Sequence, residues 1–187
     1  MAIDITEVLT PENYARERET QNRNATQLEK KRRVSTSTFT FLFENRELVL
    51  NQINEMVFLE KIHDPDEVRY LIDIYGELLP APGTLSVSMF IEITDPQQLA
   101  REMPRLAGIE KYVYIIFDGN EVKATPEEGR STDVLESTLQ YLKFRFSQEN
   151  IARFRSSKNI FIETRHPAYS ESARIPDELK KTLELEL

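Results

Sequence analysis

Several short segments of the chain alternate polar with apolar residues, and this alternation constrains the fold more than any other feature. The clearest are STSTFTFLF at 35–43 and TLSVSMFIEIT at 84–94, both rich in β-branched or aromatic residues. Successive side chains of a strand point to opposite faces, so such segments form strands with one buried and one wetter face. This pattern is typical of antiparallel sheets, because strands of parallel sheets are buried on both faces.

Six strands are predicted, several of them with this alternation, and helices interrupt them irregularly. The strands cover residues 35–43, 84–94, 111–117, 120–125, 139–146 and 160–164. The dipeptide Asp118-Gly119 predicts a tight hairpin turn between the third and the fourth. Since helices and strands do not alternate regularly, we predict an α+β fold with a mainly antiparallel sheet of about six strands and helices packed on one face.

Capping residues and prolines delimit the predicted helices. These cover residues 11–33, 47–62, 65–78, 95–106, 147–155 and 176–185. The first begins at Thr10-Pro11, a hydroxyl cap followed by a proline suited to the first helical position. Pro104 should disturb the last turn of the fourth helix, since proline cannot donate a helical hydrogen bond. Residues 126–133 are polar and are predicted to form a loop.

The composition indicates one folded domain. The chain has 187 residues, of which 40% are hydrophobic and 30% charged, and such a chain can bury a core without disulfides. No repeat or Gly/Ser linker divides it, so we predict a single domain over residues 1–187. The helix at 11–33 has few apolar residues, which places it at the periphery or in the contacts of a homodimer.

Charge and cysteine content exclude several classes of function. A formal charge of −8 argues against a nucleic-acid partner, which usually requires a basic surface. The absence of cysteine excludes thiol nucleophiles, disulfides and cysteine-ligated clusters. No run of 18 apolar residues and no secretory leader is visible, so a cytoplasmic protein without a membrane partner is expected.

The common catalytic motifs are also missing. The 5 glycines are not clustered, so neither a dinucleotide fingerprint nor a phosphate-binding P-loop can be assembled. The sequence contains no G-x-S-x-G and no H-E-x-x-H motif. Most of the common classes of hydrolase, kinase and dehydrogenase are therefore excluded.

Each of the 2 histidines follows a glutamate by three positions, as in carboxylate-bridged di-iron bundles. Glu60 and His63 fall on a predicted helix, where this spacing brings two side chains to one face. Glu163 and His166 fall on a predicted strand, where the same spacing sends them to opposite faces. Only the first pair therefore fits the di-iron geometry.

Glu60 also lies on an apolar stripe of its predicted helix. At 100° per residue, Val49, Ile53, Met56 and Glu60 fall on one narrow face. A carboxylate on a buried face must be hydrogen-bonded, paired with a cation or bound to a metal. Alternatively, the helix ends before residue 60 and the carboxylate reaches solvent.

Glu92 interrupts an apolar strand segment. Met89, Ile91 and Ile93 share one face of that strand, while Phe90 and Glu92 share the other. Glu92 therefore lies either on the wetter face of a half-buried strand or in a functional carboxylate site.

Two further polar segments carry groups able to bind a ligand. Lys30–Arg33 could bind phosphate or an acidic partner, or form a solvated helix end. The segment His166–Tyr169 follows a buried strand, and forms either a functional loop or a structural turn.

Several segments together resemble a small bacterial family known only as a domain of unknown function. They are Tyr14–Arg16, Lys31–Val34, Phe41–Arg46, Gln52–Met56 with Glu60, Met89–Glu92, Leu106–Glu110 and His166–Tyr169. The genes of that family tend to lie near those of rubrerythrin-like and iron–sulfur oxidoreductase proteins. The resemblance therefore implies a redox-linked accessory role.

The resemblance also marks polar residues within otherwise apolar segments. They are Glu44, Arg46, Gln52, Glu55, Glu60, Glu92, His166 and Tyr169. Converging in space, they would form a carboxylate-rich pocket with one arginine and one histidine. Such ligands suit iron, manganese or zinc, with Glu60, Glu92 and His166 as the candidate metal ligands.

Three hypotheses of function follow. The first is an accessory or binding protein of a redox system, acting through contacts with an oxidoreductase partner. The second is a metal-dependent enzyme that uses Glu60, Glu92 and His166 as ligands or acid–base groups. The third is a small-molecule sensor in which Arg46 clamps an anion.

Overall fold

The computed structural model describes residues 2–126 and 138–187, which group into two compact units. The helical unit comprises Met1–Arg32 and Glu44–Ala81, and the sheet unit comprises Arg33–Phe43 and Pro82–Leu187. The prediction of a single domain over residues 1–187 stays a prediction. Apart from Pro126, the loop predicted at 126–133 lies outside the described residues.

The helical unit consists of three α-helices and a short 3₁₀ helix. They are the 3₁₀ helix Ile5–Glu7, α1 (Pro11–Arg32), α2 (Arg46–Leu59) and α3 (Pro65–Gly76). Helix α1 packs along α2, and α3 packs against α2 and the 3₁₀ helix. The buried side chains include Tyr14, Leu48, Val49, Ile53 and Val57. Within the described ranges, no helix is long and apolar enough to cross a bilayer.

Helix α2 ends at Leu59, earlier than the predicted residue 62. Lys61 has a φ of 54°, in the left-handed region that commonly terminates helices. The Ile62 N–H then donates to the Val57 carbonyl at 3.0 Å, and the Lys61 N–H donates to Phe58 at 3.3 Å. These two bonds form a Schellman cap. The sequence concealed this cap because lysine stands where glycine is usual.

The sheet unit contains one eight-stranded antiparallel sheet. Its strands are β1 (Arg33–Ser35), β2 (Phe39–Phe43), β3 (Thr84–Ile91), β4 (Val113–Phe117), β5 (Asn120–Pro126), β6 (Leu139–Arg145), β7 (Ile160–Arg165) and β8 (Ser170–Arg174). They are ordered β1-β2-β3-β6-β5-β4-β7-β8, and each neighbouring pair is antiparallel. The α+β class and the antiparallel sheet are confirmed, whereas the number of about six strands is wrong.

The two strands missed in the sequence lie at the edges of this sheet. The predicted strand 35–43 is in fact a hairpin, in which the Thr36 N–H donates to the Phe39 carbonyl at 2.8 Å. Strand β8 (SESAR) has almost no apolar residue, so its backbone pairing with β7 leaves no hydrophobic pattern. The predicted Asp118-Gly119 turn is confirmed, with φ values of 44° and 76°, as a type I′ hairpin requires.

The sheet curls until its edge strands approach each other, so that it is nearly a barrel. Strand β1 contacts β8, and Glu171 of β8 accepts hydrogen bonds from the Thr38 N–H at 3.0 Å and the Thr38 hydroxyl at 2.7 Å. The interior contains Phe39, Phe41, Phe43, Phe117, Phe144 and many aliphatic side chains. A half-buried carboxylate thus joins the two edges of the sheet.

The sheet unit also contains several helices. They are α4 (Pro96–Glu102), α5 (Gln148–Ser156) and α6 (Asp177–Glu186), with 3₁₀ helices at Met103–Arg105 and Ile109–Tyr112. Pro104 converts the end of the fourth predicted helix to a 3₁₀ turn, as expected. Phe154 of α5 and Leu179 and Leu183 of α6 are buried in the same core as the sheet.

Candidate functional site

The eight polar residues marked by the resemblance divide between the two units. Glu44, Arg46, Gln52, Glu55 and Glu60 belong to the helical unit, and Glu92, His166 and Tyr169 belong to the sheet unit. Within each unit, the contacts of these residues show whether their functional groups are available to a ligand.

Glu60 and Glu92 are both exposed to solvent. Glu60 follows the last residue of α2 as its C-cap, so it does not extend the buried stripe of that helix. His63 lies beyond the helix and does not share a helical face with Glu60. Glu92 directly follows β3, and its N–H donates to the Thr38 carbonyl at 2.8 Å. The solvent-exposed alternative therefore describes both carboxylates.

Arg46, the proposed anion clamp, is bound to a carboxylate of its own chain. Its Nη2 lies 2.5 and 2.6 Å from the two carboxylate oxygens of Glu7 and 3.3 Å from the Ala2 carbonyl. The hydrogen bond from Arg46 lowers the pKa of Glu7. This pair attaches the N-terminal segment to the start of α2.

Glu55 is the centre of a polar network between α1 and α2. Its Oε2 lies 3.1 Å from the Tyr14 hydroxyl, and its Oε1 lies 2.5 Å from Arg18 Nη2. The Tyr14 hydroxyl also lies 3.1 Å from Asn22 Oδ1 and 3.2 Å from Asn51 Oδ1. A phenol has one proton, and the charged carboxylate is its strongest acceptor.

The charges of this network are fixed by its own bonds. Burial, together with the bond to Glu55, raises the pKa of Tyr14 far above its usual range. The hydrogen bond from Arg18 is the largest of the effects that lower the pKa of Glu55. A neutral phenol thus donates to an ionised carboxylate, and the network fixes the packing of α1 on α2. In the sequence, Tyr14 is one of the few apolar residues of the predicted helix at 11–33.

Replacing Tyr14 with phenylalanine is expected to lower the free energy of unfolding by about 1–2 kcal/mol. The change removes the hydroxyl and leaves Glu55 with one donor fewer in a partly buried place. Urea denaturation of both proteins measures the difference. Tyr70→Phe is the matched control, because Tyr70 is 66% exposed. Equal stability of Tyr14→Phe and wild type would contradict a structural role for the network.

His166 uses one ring nitrogen within its own turn and the other in a contact with a residue distant in the sequence. Nε2 lies 3.2 Å from the Ala107 carbonyl, and Nδ1 accepts the Ala168 N–H at 3.2 Å. A neutral imidazole has one donor and one acceptor nitrogen, and this arrangement engages both. Tyr112 adds an edge contact with ring centroids 5.1 Å apart. The structural-turn alternative describes this histidine.

Tyr169 lies at the other end of the same turn. The Tyr169 N–H and the His166 carbonyl are 3.0 Å apart, so the backbone brings these two predicted residues together. The Tyr169 hydroxyl donates to the Glu102 carboxylate, which also pairs with Arg105 at 2.8 Å. Burial and then this carboxylate raise the pKa of Tyr169, so the phenol stays protonated.

No cluster of three or more histidine, aspartate or glutamate side chains suited to a metal ion occurs within residues 2–126 and 138–187. The assignment of Glu60, Glu92 and His166 as metal ligands stays a prediction. The metal-dependent enzyme and the redox link also stay predictions.

Helix α3 carries an apolar surface that was not predicted from the sequence. Only Val68 of this helix is buried, whereas Tyr70 is 66% exposed and Leu71 and Ile74 are half-buried. At 100° per residue, Tyr70, Leu71 and Ile74 lie within a 100° arc, and we call them the α3 surface. The helix has a wide apolar arc, and only part of it packs inside the unit.

Acidic residues border the α3 surface. At the same spacing, Glu67 falls inside the arc, and Asp66 and Asp73 fall beside Tyr70. All three are exposed. Arg69 is paired with Asp66 at 2.6 Å. The α3 surface is thus apolar with a net negative border.

Comparison with other proteins gives a family and a fold. A family model described as "Protein of unknown function (DUF3501)" matches residues 2–187. A crystal structure of a novel protein of unknown function from Burkholderia pseudomallei K96243 is similar, with 29% identity, 100% coverage of both chains and a TM-score of 0.93. No curated protein matches the chain. The resemblance to a domain of unknown function is confirmed.

Proposed function

This chain belongs to the DUF3501 family, and we propose that it is a binding protein that acts through contacts with a protein partner at the α3 surface. The observation that carries the proposal is the exposure of Tyr70, 66% of which faces solvent on a helix with one buried residue. Such a protein would be an accessory protein of its partner.

An exposed tyrosine beside half-buried aliphatic side chains favours a docking site. Folded proteins expose many single apolar residues, but a contiguous apolar surface with a polar border is typical of interfaces. Tyrosine is enriched among the residues that carry most binding energy, because it offers a large rigid area with a polar end. Tyr70, with Leu71 and Ile74 beside it, has this composition.

The border of the α3 surface indicates the chemistry of the partner. Asp66, Glu67 and Asp73 outnumber Arg69 on this helix, so the surface attracts positive charge. A partner segment with apolar side chains flanked by lysine or arginine would complement it. Such complementarity mainly raises the association rate and the specificity. A second copy of this acidic chain would bring the same negative border, which disfavours a homodimer at this surface.

The contacts of the predicted polar residues support binding in preference to chemistry. Arg46 is bound to Glu7, Glu55 to Arg18, and both nitrogens of His166 are engaged. Each of these groups has a structural role within its own unit. We propose an oxidoreductase as the partner on the family resemblance alone.

The test compares two variants that each remove one exposed apolar side chain. Tyr70→Ala should weaken partner binding at least about tenfold, whereas Leu185→Ala should not, since Leu185 is 89% exposed and lies in the sheet unit. The partner is captured from an extract of the source cells by the purified wild-type protein and identified by mass spectrometry. Its affinity for each variant is then measured by calorimetry with both proteins pure.

Two results would overturn the proposal. One is a partner that binds wild type and Tyr70→Ala equally. The other is a homodimer in sedimentation experiments that Tyr70→Ala dissociates, because a second copy would then occupy the α3 surface. An identified partner without redox chemistry would contradict only the redox link.

A further inference from the structure

A groove on the sheet unit runs between the end of α5 and the side of α6. It has a volume of about 640 Å³, within the usual range of sites for small molecules. Its lining residues are Arg155, Ser156, Ser157, Lys158, Asn159, Arg174, Asp177, Lys180, Lys181 and Glu184. We call it the basic groove.

Positive charge distinguishes the basic groove from the chain as a whole. Five of its lining residues are arginine or lysine and two are aspartate or glutamate, while the whole chain carries −8. Both acids are engaged: Arg174 contacts Asp177 at 2.5 Å, and Lys180 donates to Glu184. The remaining cations therefore give the groove its charge.

Hydrogen bonds to the backbone hold three of the cations in place. Arg174 donates to the Lys158 carbonyl at 3.4 Å and to Asn159 Oδ1 at 3.3 Å. Lys180 donates to the Arg155 carbonyl at 3.3 Å, and Arg155 donates to the Glu184 carbonyl at 3.3 Å. Such bonds fix the positions of charged groups before a ligand arrives, which reduces the entropy lost on binding.

Lys158 and Lys181 add positive charge to the groove. Both are exposed, and the structure records no ion pair or hydrogen bond of their ammonium groups with other residues in the described part of the chain. Asn159 accepts from Arg174 through Oδ1, so its amide hydrogens remain able to donate. The groove therefore combines exposed ammonium groups with guanidinium and amide donors held by hydrogen bonds.

This combination of donors is typical of phosphate recognition. Guanidinium forks match the oxygens of a phosphoryl group, and ammonium groups add point charge. A nucleic acid would approach a chain of −8 against long-range repulsion, whereas a small anion meets mainly the local positive field. The volume exceeds that needed by inorganic phosphate and accommodates an attached organic group.

We propose that the basic groove binds a phosphorylated small molecule, with Lys158, Lys181 and Arg155 as its main contacts. The site is independent of the α3 surface, because it belongs to the sheet unit. The phosphoryl group makes the contacts with these cations, and the attached organic group fills the remaining volume of the groove. Tyr70→Ala is expected to leave phosphate binding unchanged.

The experiment measures the binding of three probes by calorimetry: inorganic phosphate, pyrophosphate and adenosine monophosphate. Lys158→Ala with Lys181→Ala should weaken binding at least about tenfold, the loss expected when two charge-assisted contacts are removed. Arg101→Ala with Lys123→Ala is the matched control, since it removes two exposed cations of the same unit that do not line the groove. Thermal unfolding of both variants should match wild type, because all four side chains are exposed.

The outcomes are distinct. Tighter binding of adenosine monophosphate than of inorganic phosphate, lost only in the Lys158/Lys181 variant, supports the proposal. Binding of inorganic phosphate alone would overturn the need for an attached group. Equal loss in both variants would show a general charge effect, and absence of binding at millimolar probe would remove the site.

Discussion

Replacement of Arg32 by alanine is expected to lower the free energy of unfolding by about 3–5 kcal/mol, as for other losses of a buried charged partner. Arg32 is 2% exposed and donates through Nη2 to the Glu44 carbonyl at 3.1 Å. Alanine leaves a cavity and removes the donor from that carbonyl. The Glu44 side chain is also only 2% exposed, so a buried carboxyl loses a nearby cation.

Urea denaturation of Arg32→Ala and wild type measures this loss. Arg23→Ala is the control, because it removes an arginine of the same helix whose side chain is 63% exposed and paired with Glu19. Exposed pairs are worth at most about 1 kcal/mol, so the control should stay close to wild type. A loss below about 1 kcal/mol for Arg32→Ala would mean that the surroundings of Arg32 relax around the smaller side chain.

The alternation of polar and apolar residues predicted strands with one buried face, such as β6, whose burial alternates along LQYLKFR. The two clearest alternating segments contain β2 and β3, and these strands are buried on both faces, contrary to the predicted wetter face. The alternation could not predict β8, because Ser170–Arg174 pairs with β7 through its backbone and has almost no apolar residue. The sequence left two alternatives for the end of α2, residue 62 or a position before residue 60. The structure has the earlier end, at Leu59, because a Schellman cap forms there around a lysine with positive φ. Periodicity reports burial and carries little information on backbone pairing or caps.

The polar residues within apolar segments were predicted to form a pocket, and the structure gives several of them structural bonds. Glu55 is hydrogen-bonded to Tyr14 and paired with Arg18, and the ring nitrogens of His166 contact Ala107 and Ala168. A sequence shows that a polar group is placed among apolar residues, and such a group needs a partner. It does not show whether the partner is a ligand or another part of the chain.

The basic groove could not be read from the sequence for a different reason. Its cations come from residues 155–158, from Arg174 and from α6, and none of these segments is a basic run. The hairpin of β7 and β8 brings them together, since it returns the chain to the end of α5. The one basic run that the sequence shows, Lys30–Arg33, contains the buried Arg32.

Replacement of Glu171 by glutamine is expected to lower the free energy of unfolding by about 1–2 kcal/mol near neutral pH, through the loss of charge-assisted hydrogen bonds. The Glu171 carboxylate accepts from the Thr38 N–H and the Thr38 hydroxyl, and so connects β8 with the turn between β1 and β2. Glutamine keeps the shape of the side chain and removes its charge. The change therefore tests the bond that joins the two edges of the sheet.

The pKa of Glu171 determines how the stability difference between wild type and Glu171→Gln changes with pH. Burial, the largest influence, raises the pKa of Glu171, but the hydrogen bonds from Thr36, Thr38 and Ser37 together outweigh it and hold the pKa below the usual 4.5. A carboxyl with a lowered pKa in the folded state contributes stability above its unfolded pKa and loses it as the pH falls through the folded value. The stability difference between wild type and Glu171→Gln should therefore be constant above pH 4.5 and shrink below it.

Urea denaturation at a series of pH values follows this difference. Comparing the two proteins cancels the other carboxyls with lowered pKa, such as Glu7 and Glu55, because both proteins retain them. A difference that stays the same across the acid range would show that the ionised form of Glu171 has no special role. The join between the sheet edges would then rest on the contacts of β1 with β8, with no contribution from charge.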